Sequence, residues 1–264
     1  MTRSKSMRLF IPRAGLGMAM ACMAVLAAPA IAQTPPDFSG FWNLDPRPDP
    51  DDAELRAKLP PNTVVLADTG VAEFPKGEFG GLKPKPEALA KADKWQPSDE
   101  MTLERVCAAP SIVYSIQGPF PFEVYQTPQL IVFKYEYFDQ VRIVFMDGRG
   151  HPPADAPHSK TGHSIGHWEG DELVIDTTHL AAATITNNGL DHGDNVHMVE
   201  RYKLSPDGKT LIATQWFEDP DTLENNGARI IKWTKQPGNY VFPYDCDPSF
   251  AVQYQQIGDE TDAE

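Results

Sequence analysis

Residues 198–219 read MVERYKLS-PDGK-TLIATQWFED, two runs of strand-forming residues on either side of Pro206-Asp207-Gly208-Lys209. The runs are rich in Val, Ile, Thr and aromatic residues, which fit a pleated and half-buried surface. The four residues between them carry turn chemistry: proline presets φ, aspartate caps its own backbone, and glycine accepts positive φ. The pattern predicts a β-hairpin.

The same grammar continues outward. Upstream, LIVFKYEYF (130–138) and VRIVFMD (141–147) are parted by Asp139-Gln140, and GHSIGHW (162–168) is joined to ELVIDTT (172–178) through Glu169-Gly170-Asp171. Downstream come RIIKWTK (229–235) and YVFPYDC (240–246). Seven or eight short strands at even spacing predict an all-β fold, an antiparallel up-and-down barrel over residues 123–264, with a strongly bent open sheet as the alternative. Alternating helices are lacking, which excludes doubly wound cofactor folds. Residues 33–122 read as an irregular, partly helical extension of the same domain. It holds a strand over Phe38–Leu44, a Pro/Asp cluster that can form only loop or a short acidic helix, and a helix over Lys85–Trp95 with Pro86 in its first turn.

Residues 1–32 read as a secretory signal peptide. Arg3, Lys5, Arg8 and Arg13 precede an apolar run from Ala14 to Ala30, and Ala30-Ile31-Ala32 supplies a small-x-small cleavage site. Beyond it stand 19 Lys and Arg against 37 Asp and Glu, a net charge of −18. So acidic a body repels phosphate backbones, which argues against nucleic-acid partners. The expected setting is periplasmic or secreted, with no membrane span once the leader is cleaved. Two cysteines remain beyond the leader, Cys107 and Cys246. In an oxidising compartment they are a disulfide candidate, two free buried thiols being the alternative.

All seven histidines (His151, His158, His163, His167, His179, His192 and His197) fall within one window of 47 residues, which marks where to look for chemistry. Strand alternation gives the window its neighbours. Arg142 shares a face with Val144 and Met146, Asp176 with Val174, and Glu200 with Met198 and Tyr202. Trp216 shares a face with Ile212, Thr214 and Glu218. Faces that mix apolar residues with single charges suit a ligand-holding interior, although each charge could also face water.

Four segments, in order, resemble those of a large and mostly uncharacterised family of secreted bacterial proteins: DFSGFW, VFMDGRGHP, GHSIGHWEGDELVIDT and VHMVERY. That family's signatures run DFSGxW, YMDGRxHP, GxSxGxWEGDTLVVDT and HxxER, and the likeness extends over roughly residues 37–246. The resemblance implies a lipocalin-like barrel, a periplasmic or secreted setting and a disulfide, but no settled activity. Gly40 and Trp42 are similar to the Gly-x-Trp that opens lipocalins. This chain departs from the family pattern at His167, where arginine is usual, at Glu172, where threonine is usual, and at His179.

Three chemistries compete for the window. A metal site would draw on His163, His167 and Asp176, but no HExxH or Cys/His framework supports it. A serine nucleophile at Ser164 lacks the G-x-S-x-G elbow. Cofactor-free acid–base chemistry needs only parts that are present. His163 is the leading general acid–base, Asp176 its carboxylate partner, and His151 and His192 are loop-borne helpers. Arg142, Arg149, Glu200 and Trp216 would bind a small, partly hydrophobic substrate. The expectation is a lyase, isomerase, dehydratase or cyclase that needs no cofactor. A non-catalytic lipocalin-like carrier is the alternative, and homo-oligomerisation is left open.

Overall fold

A computed structural model describes Met1 and residues 34–46, 53–68 and 73–254. The expected signal peptide beyond Met1, and residues 47–52 of the Pro/Asp cluster, lie outside the described residues. Residues 1–34 and 35–264 are separate units, and the second carries all the described strands.

The strands are β1 (Gly40–Leu44), β2 (Thr63–Val65), β3 (Phe122–Gln126), β4 (Leu130–Tyr135), β5 (Val141–Phe145), β6 (His163–Glu169), β7 (Glu172–Thr178), β8 (Ala183–Thr186), β9 (Leu190–His192), β10 (His197–Leu204), β11 (Thr210–Glu218) and β12 (Asn226–Lys235). Nine of them close a barrel in the order β1-β3-β4-β5-β6-β7-β10-β11-β12 and back to β1. The all-β barrel read from the sequence is the fold. The hairpin over 198–219 forms as expected, from His197↔Glu218 down to Leu204↔Leu211 at the turn.

One joint departs from the antiparallel rule: β5 and β6 run parallel, through the pairs Val144↔Ser164 and Phe145↔Ile165. An odd-membered ring cannot alternate direction all the way round, so nine strands require such a joint. The connection across it, residues 146–162, cannot be a tight turn.

The expected last strand, YVFPYDC, is instead an irregular strap. Barrel closure falls to β12, which pairs with β1 at Trp233–Lys235, leaving 240–246 no free edge to join. Pro243 could not donate to a ladder in any case. The strap's amides turn to carboxylates: Phe242 N–H donates to Glu136 Oε2 (3.1 Å) and Tyr244 N–H to Asp139 Oδ1 (3.0 Å). Cys246 on this strap is bonded to Cys107, 139 positions away in sequence, with 5.7 Å between Cα atoms. Closing a loop of that length stabilises the fold by about 5 kcal/mol on the chain-entropy estimate.

The extension contributes β1, β2 and three short helices, α1 (Ala53–Ala57), α2 (Pro86–Ala92) and α3 (Ile112–Ser115). The expected helix over 85–95 is α2, with Pro86 in its first turn, where its missing N–H would be unpaired anyway. All four residues of α3 are buried. So short a helix cannot satisfy its own carbonyls, and barrel side chains do it instead: Gln215 Nε2 donates to Ile112 O (3.3 Å) and Arg229 Nη1 to Val113 O (3.0 Å).

The barrel interior is packed with large side chains. Trp42, Phe122, Phe133, Tyr202, Phe217 and Trp233 are essentially inaccessible. Each removes enough apolar surface to stabilise the fold by about 2–3 kcal/mol against an exposed reference. Among the described residues, no helix is long and apolar enough to cross a membrane.

Candidate functional site

Alternation on β5, β6, β7 and β10 sends Arg142, Ser164, Thr177 and Glu200 inward and buries all four. Arg142 donates to Ser164 Oγ (2.9 Å), Thr177 Oγ1 (2.7 Å) and both oxygens of Glu200, while Tyr202 Oη donates to Glu200 Oε1 (2.8 Å). Arg142 and Glu200 do face the interior, as read. There they satisfy one another, at 1% and 0% exposure, and the expected open, ligand-holding space is taken up by packing. A substrate has no route to either group.

Asp176 and Trp216 lie on the opposite, outer face of their strands. Alternation alone does not decide which row of β7 faces inward, because Leu173, Val174 and Ile175 are all buried. The outward row puts Asp176 beside histidines. The β6–β7 hairpin turns at Gly170-Asp171, with Glu169↔Glu172 as its last pair and Gly170 at φ 66°. His163 therefore faces Thr178, and Asp176 faces Ile165, so His163 and Asp176 share a face on a diagonal. Trp168 packs inward, its ring edge-on to Phe38 at 5.4 Å.

The crossover loop lays His151 between them. His151 Nε2 is 2.9 Å from Asp176 Oδ1, and its Nδ1 is 3.0 Å from His163 Nδ1. From the far side, His197 Nε2 reaches the same Asp176 oxygen at 3.1 Å, and its Nδ1 lies 3.5 Å from Glu218 Oε1. The chain of contacts is His163–His151–Asp176–His197–Glu218. Over it, Phe145 stacks on the His163 ring (5.2 Å, 24° between planes), and the Arg149 guanidinium lies 3.8 Å above the Phe145 ring. Arg149 also pairs with Asp147. Trp216 meets His197 edge-on at 5.9 Å and donates its indole N–H to Thr63 Oγ1 (3.1 Å).

Hydrogen-bond logic assigns the protons. A carboxylate only accepts, so His151 and His197 both donate Nε2–H to Asp176. With one proton on each ring, the His151 Nδ1 lone pair accepts from His163 Nδ1–H. That leaves His163 Nε2 unprotonated and, among the described residues, without a partner. Charges reinforce the assignment. Burial, then the neighbouring His151, hold His163 below the ordinary histidine value. The hydrogen bond to Asp176 lifts His197 above it, against burial. Burial pushes the Asp176 carboxyl up, but the bonds from His197 and His151 outweigh it and keep the group below its ordinary value.

In a pH titration followed by ring ¹H–¹⁵N NMR, His163 should turn over below 6.5 and His197 above it. Coincident midpoints would remove the charge assignment. The linkage signs differ. The stabilising contribution of His197 is full below about 6.5 and is lost as pH rises through its raised folded value. That of His163 is full above about 6.5 and is lost as pH falls through its lowered value.

The other histidines stand apart. His167, on the same outer row of β6, is about 13 Å further along the strand at 3.3 Å per residue and pairs with Glu169 (3.1 Å). The metal set His163, His167 and Asp176 is therefore not assembled, and no cluster among the described residues is arranged to hold a metal ion. His192, expected on a loop beside the site, is buried in β9. Its Nδ1–H donates to Gly193 O (2.8 Å), and its Nε2 accepts from Ser111 Oγ (2.6 Å). Both ring nitrogens are thus occupied in tying β9 to α3. His179, at φ 57°, holds the crossover loop through Pro153 O (2.9 Å), and His158 packs against the His179 ring at 5.2 Å.

Three members of the site are not singled out by the sequence: His197, Glu218 and Phe145. Two of them leave a signal there. His197 and Glu218 are equidistant from the Pro206–Lys209 turn, and their direct pairing follows from counting outward along the hairpin.

No model of a known protein family matches this chain, and no curated protein matches its sequence.

Proposed function

We propose that the protein is an acid–base enzyme acting without a cofactor on a small, partly hydrophobic molecule at the outer-face histidine site. The observation that carries this reading is the contact sequence Asp176–His151–His163, which ends on a ring nitrogen, Nε2, that has no partner among the described residues and that the tautomer above leaves unprotonated. A base so placed takes a proton from a carbon next to a carbonyl. As His163 Nε2 gains it, the Nδ1 proton can pass to His151, whose imidazolium then rests against the Asp176 carboxylate. Arg149, within electrostatic reach of His163 although shared with Asp147, is the cation assigned to the resulting enolate oxygen, and Phe145 offers an apolar wall. Lyase, isomerase, dehydratase and cyclase reactions all start from this step. The carrier alternative needs an apolar cavity inside the barrel, where Trp42, Phe133, Tyr202 and Trp233 are packed.

The proposed address is periplasmic or secreted. Its supports are the basic-then-apolar N-terminus, the Cys107–Cys246 disulfide, and the resemblance to a family of secreted bacterial proteins.

Hydrogen exchange at carbon tests the chemistry without knowing the product. The protein is incubated in D₂O with small aryl ketones and 2-oxo acids, and loss of the α-proton signal is followed by NMR. Exchange with at least one of them above the rate in an equal concentration of free imidazole is expected. Rates no higher than imidazole across both classes would overturn the reading.

A further inference from the structure

A cleft of about 760 Å³ lies apart from the histidine site, lined by none of its residues. Its walls are the 105–110 segment, the turn Tyr137–Asp139 after β4, Lys160 of the crossover loop, the β8–β9 ribbon and the 244–250 strap. The volume suits a small molecule.

One side is aromatic. Tyr137, Phe138 and Tyr244 line the cleft and hold one another at centroid distances of 4.6, 4.7 and 5.7 Å. The wall is fixed from outside. Asp139 and Glu136 take the strap's amides, and the disulfide clamps Cys246. It is also where backbone strain gathers. Five non-glycine residues in the described chain have left-handed φ, and three of them are here: Phe138 (55°), Asp139 (52°) and Asp245 (48°). Such strain persists only where the surroundings over-determine it, and it tends to mark binding surfaces.

The lining also includes three cations, of which two are neutralised. Arg105 is paired with Glu100 (2.8 Å) and Lys91 with Asp191 (2.7 Å). Lys160 is different. Its Nζ makes one hydrogen bond, to Ala182 O (2.7 Å), and among the described residues no carboxylate lies within ion-pair distance. Nearby Asp191 is held by Lys91, and Asp194 accepts from Ala182 N–H (2.6 Å). An ammonium has three donors, so two remain unfilled on a half-buried group that lines the same cleft as the aromatic wall.

We infer that this cleft binds a small aromatic molecule bearing one carboxylate, with its ring against Tyr137, Phe138 and Tyr244 and its carboxylate on the Lys160 ammonium. The preformed wall keeps the ordering penalty of binding low. The charge-assisted contact supplies preference for the acid over a neutral analogue.

Isothermal titration with 1-naphthoate and with neutral 1-naphthamide tests this. Naphthoate should bind saturably, and naphthamide about tenfold or more weakly, the range expected for losing a hydrogen bond to a charged group. Lys160→Met should bring naphthoate down to the naphthamide level, while Lys160→Arg keeps most of the affinity. His163→Gln should bind naphthoate as the parent does. No saturable naphthoate binding, equal affinity for the two probes, or loss of binding in His163→Gln would each overturn the assignment. The comparison of probes on the parent protein stands even if a Lys160 variant fails to fold.

Discussion

His163→Gln eliminates α-proton exchange, by a factor on the order of 10²–10⁴, while the protein melts within about 2 °C of the parent. The two halves of this result have separate causes. His163 is half-buried on the outer row of β6, and its described polar contact is the one to His151. Glutamine keeps a donor within reach of His151, so the folded state loses little, in the range of about 0.5 kcal/mol typical of a surface substitution. The chemical step loses its base outright, because an amide cannot accept a proton near neutral pH. Asp176→Asn should fall between the two. Its amide can no longer hold both His151 and His197 as donors to one charged oxygen, so the tautomer that leaves His163 Nε2 free is no longer enforced. His167→Gln is the internal control, on the same strand and face but outside the bonded chain, and it should exchange at the parent rate. Exchange is measured by NMR in D₂O and melting by far-ultraviolet circular dichroism. Parent-like exchange in His163→Gln would take the base role from this residue.

Arg142→Met lowers stability by about 3–5 kcal/mol, seen as a drop of roughly 10 °C in melting temperature or an earlier urea midpoint. Glu200 has no exposure to solvent, and its remaining described partner is the Tyr202 hydroxyl. Removing the guanidinium leaves a carboxylate in the barrel core without a counter-charge. The double variant Arg142→Met, Glu200→Leu should recover most of the loss, since replacing both charges with apolar volume removes the desolvation penalty along with the attraction. A double variant no more stable than Arg142→Met would mean that the packing around the pair, rather than its charge, sets the effect.

Much of this molecule is legible from local rules. The strand runs and turn residues predict the barrel because they depend on neighbours along the chain. The His163–Asp176 proximity follows in the same way, by counting from Gly170. What local rules miss depends on partners distant in sequence. Whether Asp176 faces inward is decided by which row of β7 packs against the core, and a strand apolar on both rows does not reveal it. The segment 240–246 has the composition of a strand, yet it finds no edge once β12 has met β1. His192 sits between loops in sequence, and only the docking of α3 under the β8–β9 ribbon hands its ring to Ser111. Arg142 and Glu200 read as ligand-binding charges because two opposite charges 58 residues apart give no sign that they neutralise one another.

The parallel joint has a mechanical consequence. Two backbone pairs hold β5 to β6, against eight between β10 and β11. A ring pulled or heated opens at its weakest link, and by rung count this is that link. Here, however, a single side chain is threaded through the gap. From β5, Arg142 grips Ser164 on β6, Thr177 on β7 and Glu200 on β10, crossing the joint like a rivet set from within. A barrel with an odd number of staves needs one parallel joint, and in this one that joint is short of rungs and a guanidinium stands in for the missing ones.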